Sequence, residues 1–259
     1  MRKSNIRTVQ WMAPLALAIT LGMSSCKTSQ VYQITNIEGD KIEVTSAYDI
    51  NPSAEASAIL APYKLGVDSV MGEIIGYSAH TLDKYRPESP LSNLVADVLR
   101  NAAKDVIGQP ADIGLMNIGG VRNILPEGNI TVGTVFEILP FENSLCVLSI
   151  QGKYVKELMN NIALVKGEGI SNVNLVVENG KVVSALVGGE PIDENRMYSL
   201  ATIDYIADGN DGMKALVKAQ NRVCPEGATL RSLFLDFVKE ETARGEIIDS
   251  RIEGRIIIK

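Results

Sequence analysis

Leu91-Ser92-Asn93-Leu94-Val95-Ala96-Asp97-Val98-Leu99, followed by Asp112-Ile113-Gly114-Leu115-Met116-Asn117-Ile118-Gly119-Gly120-Val121-Arg122, is the stretch on which the fold turns. In its first half Leu91, Leu94, Val95, Val98 and Leu99 recur at helical spacing, one apolar stripe that continues to Val106 and Ile107. Gly108 and Pro110 stop that helix. Asp112 to Met116 then reads as a buried strand, and Gly119-Gly120 as a loop directly after it.

The same alternation continues on both sides. Leu145 to Ile150 reads as a strand leading into a helix from about Lys153 to Leu164. Asn174–Val177 and Lys181–Leu186 are strands joined by Asn179-Gly180, a hairpin signal because both central residues of the turn need positive φ. Tyr198–Thr202 is a strand entering a Gly/Asp-rich loop, Leu230–Glu241 a helix and Arg255–Ile258 a closing strand. Upstream, helix signals begin near Ser53, with Ile59, Leu60, Tyr63, Leu65, Val67, Val70 and Met71 at nearly helical spacing, and Glu73–Tyr77 reads as a short strand. Helices mixed with strands, one pair of them antiparallel, predict an α+β fold: a mixed sheet with flanking helices.

The first 25 residues read as a signal sequence. Arg2, Lys3 and Arg7 precede an apolar run from Trp11 to Met23, about half the length a spanning helix needs. The run ends in Met23-Ser24-Ser25-Cys26, which resembles a bacterial lipobox. That resemblance implies cleavage before Cys26, lipid on its thiol and anchorage to a membrane of the bacterial cell envelope, on its periplasmic face or at the cell surface. The alternative is an ordinary cleaved signal with an incidental cysteine. Residues 26–58 read as a tether with a small hairpin, Tyr32–Ile34 and Lys41–Val44 flanking Glu38-Gly39-Asp40. Residues 59–259 read as the folded domain.

Charge and ligand counts narrow the chemistry. A formal net charge of -6 argues against broad binding to nucleic acid and leaves room for one local basic pocket. The chain has one histidine, His80, whereas a two-metal phosphatase site needs several His and carboxylate ligands. No G-x-S-x-G elbow accompanies it, so His80 reads as a surface or capping histidine beside Thr81. No catalytic residue, metal ligand or cofactor is therefore assigned to this chain. Cys146, in an apolar run, reads as a small buried hydrophobe. Cys224 precedes Pro225 in a loop, and an oxidising compartment would permit a bridge between the two.

Three loops carry binding chemistry instead. Asn117 to Arg122 offers exposed N–H groups at Gly119-Gly120 and an arginine suited to phosphate or carboxylate. Leu139-Pro140-Phe141-Glu142-Asn143 offers a Phe held by a preceding proline, whose plain alternative is a core Phe. Asp204 to Gly212 offers an aromatic face and several carboxylates, whose alternatives are a solvated acidic turn or a calcium loop. The calcium motif does not fit its spacing.

Taken in order, four stretches resemble the C-terminal domain of the 5'-nucleotidase family, the ecto-5'-nucleotidase and bacterial UDP-sugar hydrolase type. Glu88 to Asp97 resembles E-x-x-L-G-N-L-I-A-D, Asn117 to Arg122 resembles N-G-G-G-I-R, Ile130 to Phe141 resembles I-T-x-G-x-V-x-E-x-L-P-F, and Tyr205 to Gly212 resembles F-L-A-x-G-G-D-G. The resemblance runs from about Ala61 to Lys259. It implies that Phe141 and Tyr205 sandwich a nucleobase and that Arg122 grips the charged end of the substrate. It further implies that Asp211 bonds the ribose hydroxyls and that Asn117, Gly120 and Asn143 complete the site. Four departures stand out: Ile118, Glu142, Ser92 and Asn210 each replace a family glycine. Glu142 is expected to add negative charge near a phosphate. Arg86 is one residue out of register with a second family arginine.

The family's metallophosphoesterase domain, with its N-H-[DE] motifs, is not represented in the sequence. The resemblance thus implies the nucleotide- or nucleoside-binding half of a split 5'-nucleotidase-type phosphohydrolase, any divalent metal belonging to a separate metallophosphoesterase chain. A non-catalytic nucleotide-binding lipoprotein is the alternative, and a structural lipoprotein with a decayed pocket is a third reading.

Overall fold

The computed structural model describes residues 34–43 and 45–259, which fall into two units, 1–53 and 54–259. In the first unit residues 34–43 are exposed and carry no strand, and Ser46–Ile50 form a 3-10 turn with Thr45 as its cap. Of the hairpin expected around Glu38-Gly39-Asp40, Tyr32, Gln33 and Val44 lie outside the described residues. The signal segment and Cys26 lie outside the described residues.

The second unit begins with α1 (Ala54–Met71), next to Ser53, where the helix signals in the sequence begin. Its apolar residues Ile59, Leu60, Tyr63, Leu65, Val67 and Val70 stay exposed, and Met71 at its end packs on the core. The chain then runs through β1 (Ile74–Ser78), α2 (Pro90–Ala102), α3 (Lys104–Ile107), β2 (Ile113–Met116), β3 (Gly128–Thr131) and α4 (Val132–Ile138). There follow β4 (Leu145–Gln151), α5 (Gly152–Leu164), β5 (Gly169–Ser171), β6 (Val173–Glu178), β7 (Lys181–Val187), β8 (Glu190–Pro191) and β9 (Met197–Ile203). The last elements are α6 (Asp204–Ala207), β10 (Asn221–Val223), α7 (Leu230–Ala243) and β11 (Ile256–Ile258).

Among the described residues these strands form three sheets. The central one runs β10-β4-β9-β2-β5, with β2 and β9 parallel and its other pairs antiparallel. A second runs β11-β6-β7-β8, and β1 pairs with β3. The fold is thus α+β with mixed sheets and flanking helices. The turn between β6 and β7 has Asn179 at φ 52° and Gly180 at φ 74°, as the hairpin signal requires. Helix α4, not foreseen in the sequence, is set by Thr131 and Thr134, whose side chains cap each other's backbone N–H.

The Glu88–Asp97 motif serves this architecture. Ser89 caps α2, with Pro90 in its first turn. Ser92, in place of the family glycine, is buried against Ser89, with Oγ atoms 2.7 Å apart. The buried Glu88 carboxylate accepts from Asn93 Nδ2 at 2.7 Å and from the Glu253 N–H at 2.8 Å. Asp97 receives both arms of Arg255, each at 2.8 Å, and Arg255 also donates to Ile170 O at 2.7 Å. Helix α2 thereby clasps the chain segment that leads into β11. Cys146 on β4 and Cys224 just beyond β10 are joined in a disulfide across 78 residues, which fastens this short edge strand. A bridge of this kind typically contributes ~2–4 kcal/mol.

Candidate functional site

Strands β2 and β9 lie side by side, and the loops after them open on the same side of the central sheet as the loop after α4. The three loops enclose a cleft of about 480 Å³, within the range of small-molecule sites. Its walls are Asn117, Gly119, Gly120 and Arg122 from the first loop, Phe141 and Asn143 from the second, and Tyr205 and Asp211 from the third. All seven residues expected from the sequence line this cleft, and Gly119 joins them.

Asp211 is the junction of the site. Its backbone takes the left-handed conformation at φ 50°, which Asp and Asn tolerate better than most residues. Asn117 Nδ2 donates to its Oδ2 at 2.7 Å and the Tyr205 hydroxyl to its Oδ1 at 3.0 Å. That bond to a carboxylate, and the carboxylate's charge, raise the Tyr205 pKa above its ordinary value, so the phenol keeps its proton as a donor. A carboxylate has about four acceptor positions, so two remain for further donors such as a cis-diol. Asn210, where the family has glycine, has a task of its own: its Nδ2 donates to Tyr205 O at 2.8 Å and closes the turn.

The aromatic faces reach solvent at the mouth of the cleft, Phe141 being 47% and Tyr205 43% exposed. Exposure at this level sets aside the core-Phe alternative. The Arg122 guanidinium stands 5.8 Å from the Phe141 ring centroid and donates to Gly119 O at 3.0 Å. Asn117 Oδ1 is buried without a hydrogen-bond partner in the protein. Space at Gly120 is tight: a Cβ there would stand 2.5 Å from Met116 Cε and 2.8 Å from Asn117 Oδ1, so those side-chain ends would have to shift.

One expectation needs correction. Glu142 does not point a free charge into the cleft. It pairs with Arg231 Nη1 at 2.8 Å, and Arg231 also donates to Leu139 O at 2.9 Å and Pro140 O at 2.8 Å. The glutamate replacing glycine is thus neutralised by the arginine that straps the Phe141 loop. Arg86, out of register in the sequence, does not line the cleft. It donates to Gly167 O at 2.9 Å and pairs with Glu168. Glu168, missed in the sequence, is 1% exposed and accepts from the Ile118 N–H at 2.5 Å. Burial raises its pKa, against the opposing pull of Ile118 and Arg86. His80 lies outside the cleft, with Nε2 3.2 Å from Ser250 O. Among the described residues no group of three or more His, Cys, Asp or Glu side chains could hold a metal, and no helix is long and apolar enough to cross a membrane.

Comparison with known proteins bears on this geometry. The family model for the 5'-nucleotidase C-terminal domain matches residues 70–218. Endonuclease YhcR of Bacillus subtilis (strain 168) is 34% identical over 167 residues, covering 61% of this chain and 13% of YhcR. Cell wall protein Lmo0130 of Listeria monocytogenes is 26% identical over 242 residues, covering 81% of this chain and 30% of that protein. The crystal structure of a 5'-nucleotidase precursor from Thermus thermophilus matches with a TM-score of 0.69 at 28% identity, over 79% of this chain and 43% of that one. The chain thus spans less than half the length of each of these relatives. The family model takes in more than half of the 259 residues and every residue that lines the cleft, and on that ground the chain belongs to the 5'-nucleotidase C-terminal domain family.

Proposed function

We propose that this chain is the nucleotide- or nucleoside-binding half of a 5'-nucleotidase-type phosphohydrolase, positioning substrate for a separate metallophosphoesterase chain that carries the divalent metals. The observation that supports it is the convergence of three distant loops on one cleft with two aromatic faces, one arginine and a carboxylate already held by two donors. Each feature matches one part of a nucleotide: the base stacks, the diol donates and the phosphate accepts from a guanidinium. Orientation of this kind can account for much of a reaction barrier when the chemistry is supplied by another chain.

The expected result is that this chain alone releases no phosphate from AMP with manganese or zinc added, and that phosphate appears when a metallophosphoesterase chain from the same source is present. Turnover by the purified chain alone, abolished in a parallel Arg122→Ala preparation, would contradict the split. Binding without turnover in the presence of such a partner would move the assignment to a non-catalytic nucleotide-binding lipoprotein.

The proposal includes anchorage at the cell envelope through lipid on Cys26. The lipobox-like sequence supports the lipid, and the similarity to a cell wall protein supports the envelope location alone. Cys26→Ser is expected to move the protein out of the membrane fraction or leave it unprocessed, because acyl methylenes supply the affinity at about 0.8 kcal/mol each. Processed mutant protein still found in membranes would refute the anchor.

A further inference from the structure

We propose that Glu168 is a positioning residue of the cleft, a buried carboxylate that holds the 117–122 loop in its binding form through the Ile118 N–H; this rests on the nucleotide reading of that cleft. A carboxylate 1% exposed is costly to keep in a fold. Glu168 takes no part in the clasp that binds the C-terminal segment. Its two oxygens are divided between two tasks: Oε1 faces Arg86, and Oε2 accepts from Ile118 N at 2.5 Å. Arg86 is fixed in turn by its Nε bond to Gly167 O at 2.9 Å, so the acid sits between an anchored cation and the loop.

The loop end it grips is the sensitive one. Ile118 opens the 3-10 turn Ile118–Gly120, and the neighbouring Asn117 holds Asp211 at 2.7 Å. Asp211 in turn receives the Tyr205 hydroxyl at 3.0 Å. A displacement at Ile118 N therefore passes through Asn117 to the carboxylate and the aromatic face that line the cleft. The packing of Ile118, 6% exposed, cannot replace the missing bond, since a buried N–H without an acceptor carries the full desolvation cost of that group.

This arrangement makes the cleft sensitive to acid. The ionisable groups acting on Glu168 are Arg86, which favours its charged form, and Asp211, which opposes it. Burial is the largest influence and raises its pKa above the ordinary carboxylate value. The sign follows from linkage. In the folded state Glu168 binds its proton more readily than in the unfolded chain, so this group's contribution to stability is greatest at low pH and falls as pH rises through the raised pKa. The loop is best held when Glu168 is ionised, where the fold gains least from it. Stability and loop order thus move in opposite directions with pH, and a role in the cleft adds a parallel change in ligand affinity that a purely structural carboxylate would not produce.

The test uses the intact chain, with Glu168→Gln beside the wild type. Exchange of the Ile118 amide, normalised to its intrinsic rate, is followed over mildly acid to neutral pH, and adenosine, which carries no phosphate to titrate there, is the binding probe. In the wild type, Ile118 protection and adenosine affinity are expected to fall together as pH drops through the raised pKa. In Glu168→Gln, which does not titrate and has one acceptor oxygen for the two donors Ile118 N–H and Arg86, the protection is reduced and no longer varies with pH, adenosine binds on the order of tenfold more weakly at neutral pH, and the variant still unfolds cooperatively. Wild-type protection of Ile118 in Glu168→Gln, or unchanged adenosine affinity, overturns the proposal. Loss of Ile118 protection in the variant while the wild type binds no adenosine, alone or with a metallophosphoesterase chain present, upholds the loop-positioning role and removes the nucleotide reading instead.

Discussion

Asp97→Ala is expected to lower folding stability by about 3 kcal/mol, within the range for breaking a buried ion pair. The reasoning starts from Arg255, 8% exposed, whose two terminal nitrogens both reach Asp97 at 2.8 Å. Removing Asp97 leaves that guanidinium with Glu253 at 2.9 Å and with two backbone carbonyls, Ile170 O and Asn93 O. The Asp97 side chain is 35% exposed and Glu253 remains, so the loss belongs at the lower end of the buried-pair range. Ser171 loses its acceptor in the same substitution, at 2.5 Å. The double variant Asp97→Ala/Arg255→Met should recover much of the loss, because replacing both members of a buried pair by apolar groups is often close to neutral. Guanidinium unfolding of the wild type, the single and the double variant measures all three. A single-variant loss below about 1 kcal/mol would show that the clasp does not depend on this pair.

Phe141→Ala and Tyr205→Ala should each weaken nucleoside binding by roughly 1–3 kcal/mol, the usual value of a base stacked on a protein aromatic, or about five- to hundredfold in affinity. Both rings are large, apolar and nearly half exposed at the cleft mouth, and a base that covers them removes that surface from water. Arg122→Ala should separate ligands of different charge. AMP is expected to lose affinity by roughly 1.5–3 kcal/mol, the value of a hydrogen bond to a charged group, while adenosine keeps most of its own. Calorimetric titration of both ligands into the wild type and the three variants reads every difference. Equal losses of AMP and adenosine in Arg122→Ala would remove the phosphate assignment. Wild-type protein that binds neither ligand, even with the metallophosphoesterase present, would remove the nucleotide reading altogether.

The sequence carried the elements with strong periodicity. Helix α2, strand β2, the Asn179-Gly180 hairpin and helix α7 lie where spacing and turn chemistry put them. Strands β5 and β10 were missed because three residues show no period. The cleft was legible because its residues sit in loops with special backbone or aromatic chemistry, each close to a recognisable motif. The partners that explain the departures were not legible. Arg231 lies 89 residues beyond Glu142, and Glu168 lies 50 beyond Ile118, with no local pattern linking either pair. For the same reason the polar residues of Glu88–Asp97 read as a family signature without a task. The partners of Glu88, Asn93 and Asp97 in residues 251–256 stand about 160 positions away.

That separation also governs the order in which the molecule forms. Bringing residues 88–97 to 251–256 closes one of the longest loops in the chain, and the entropy of closure is spent before any clasp bond is made. Hairpins such as β6–β7 have no such barrier, since their ends are a turn apart. On that ground the local pairs are expected to form first and the Arg255–Asp97 contact late, so that Asp97→Ala speeds unfolding more than it slows folding, a difference the two arms of a denaturant chevron measure.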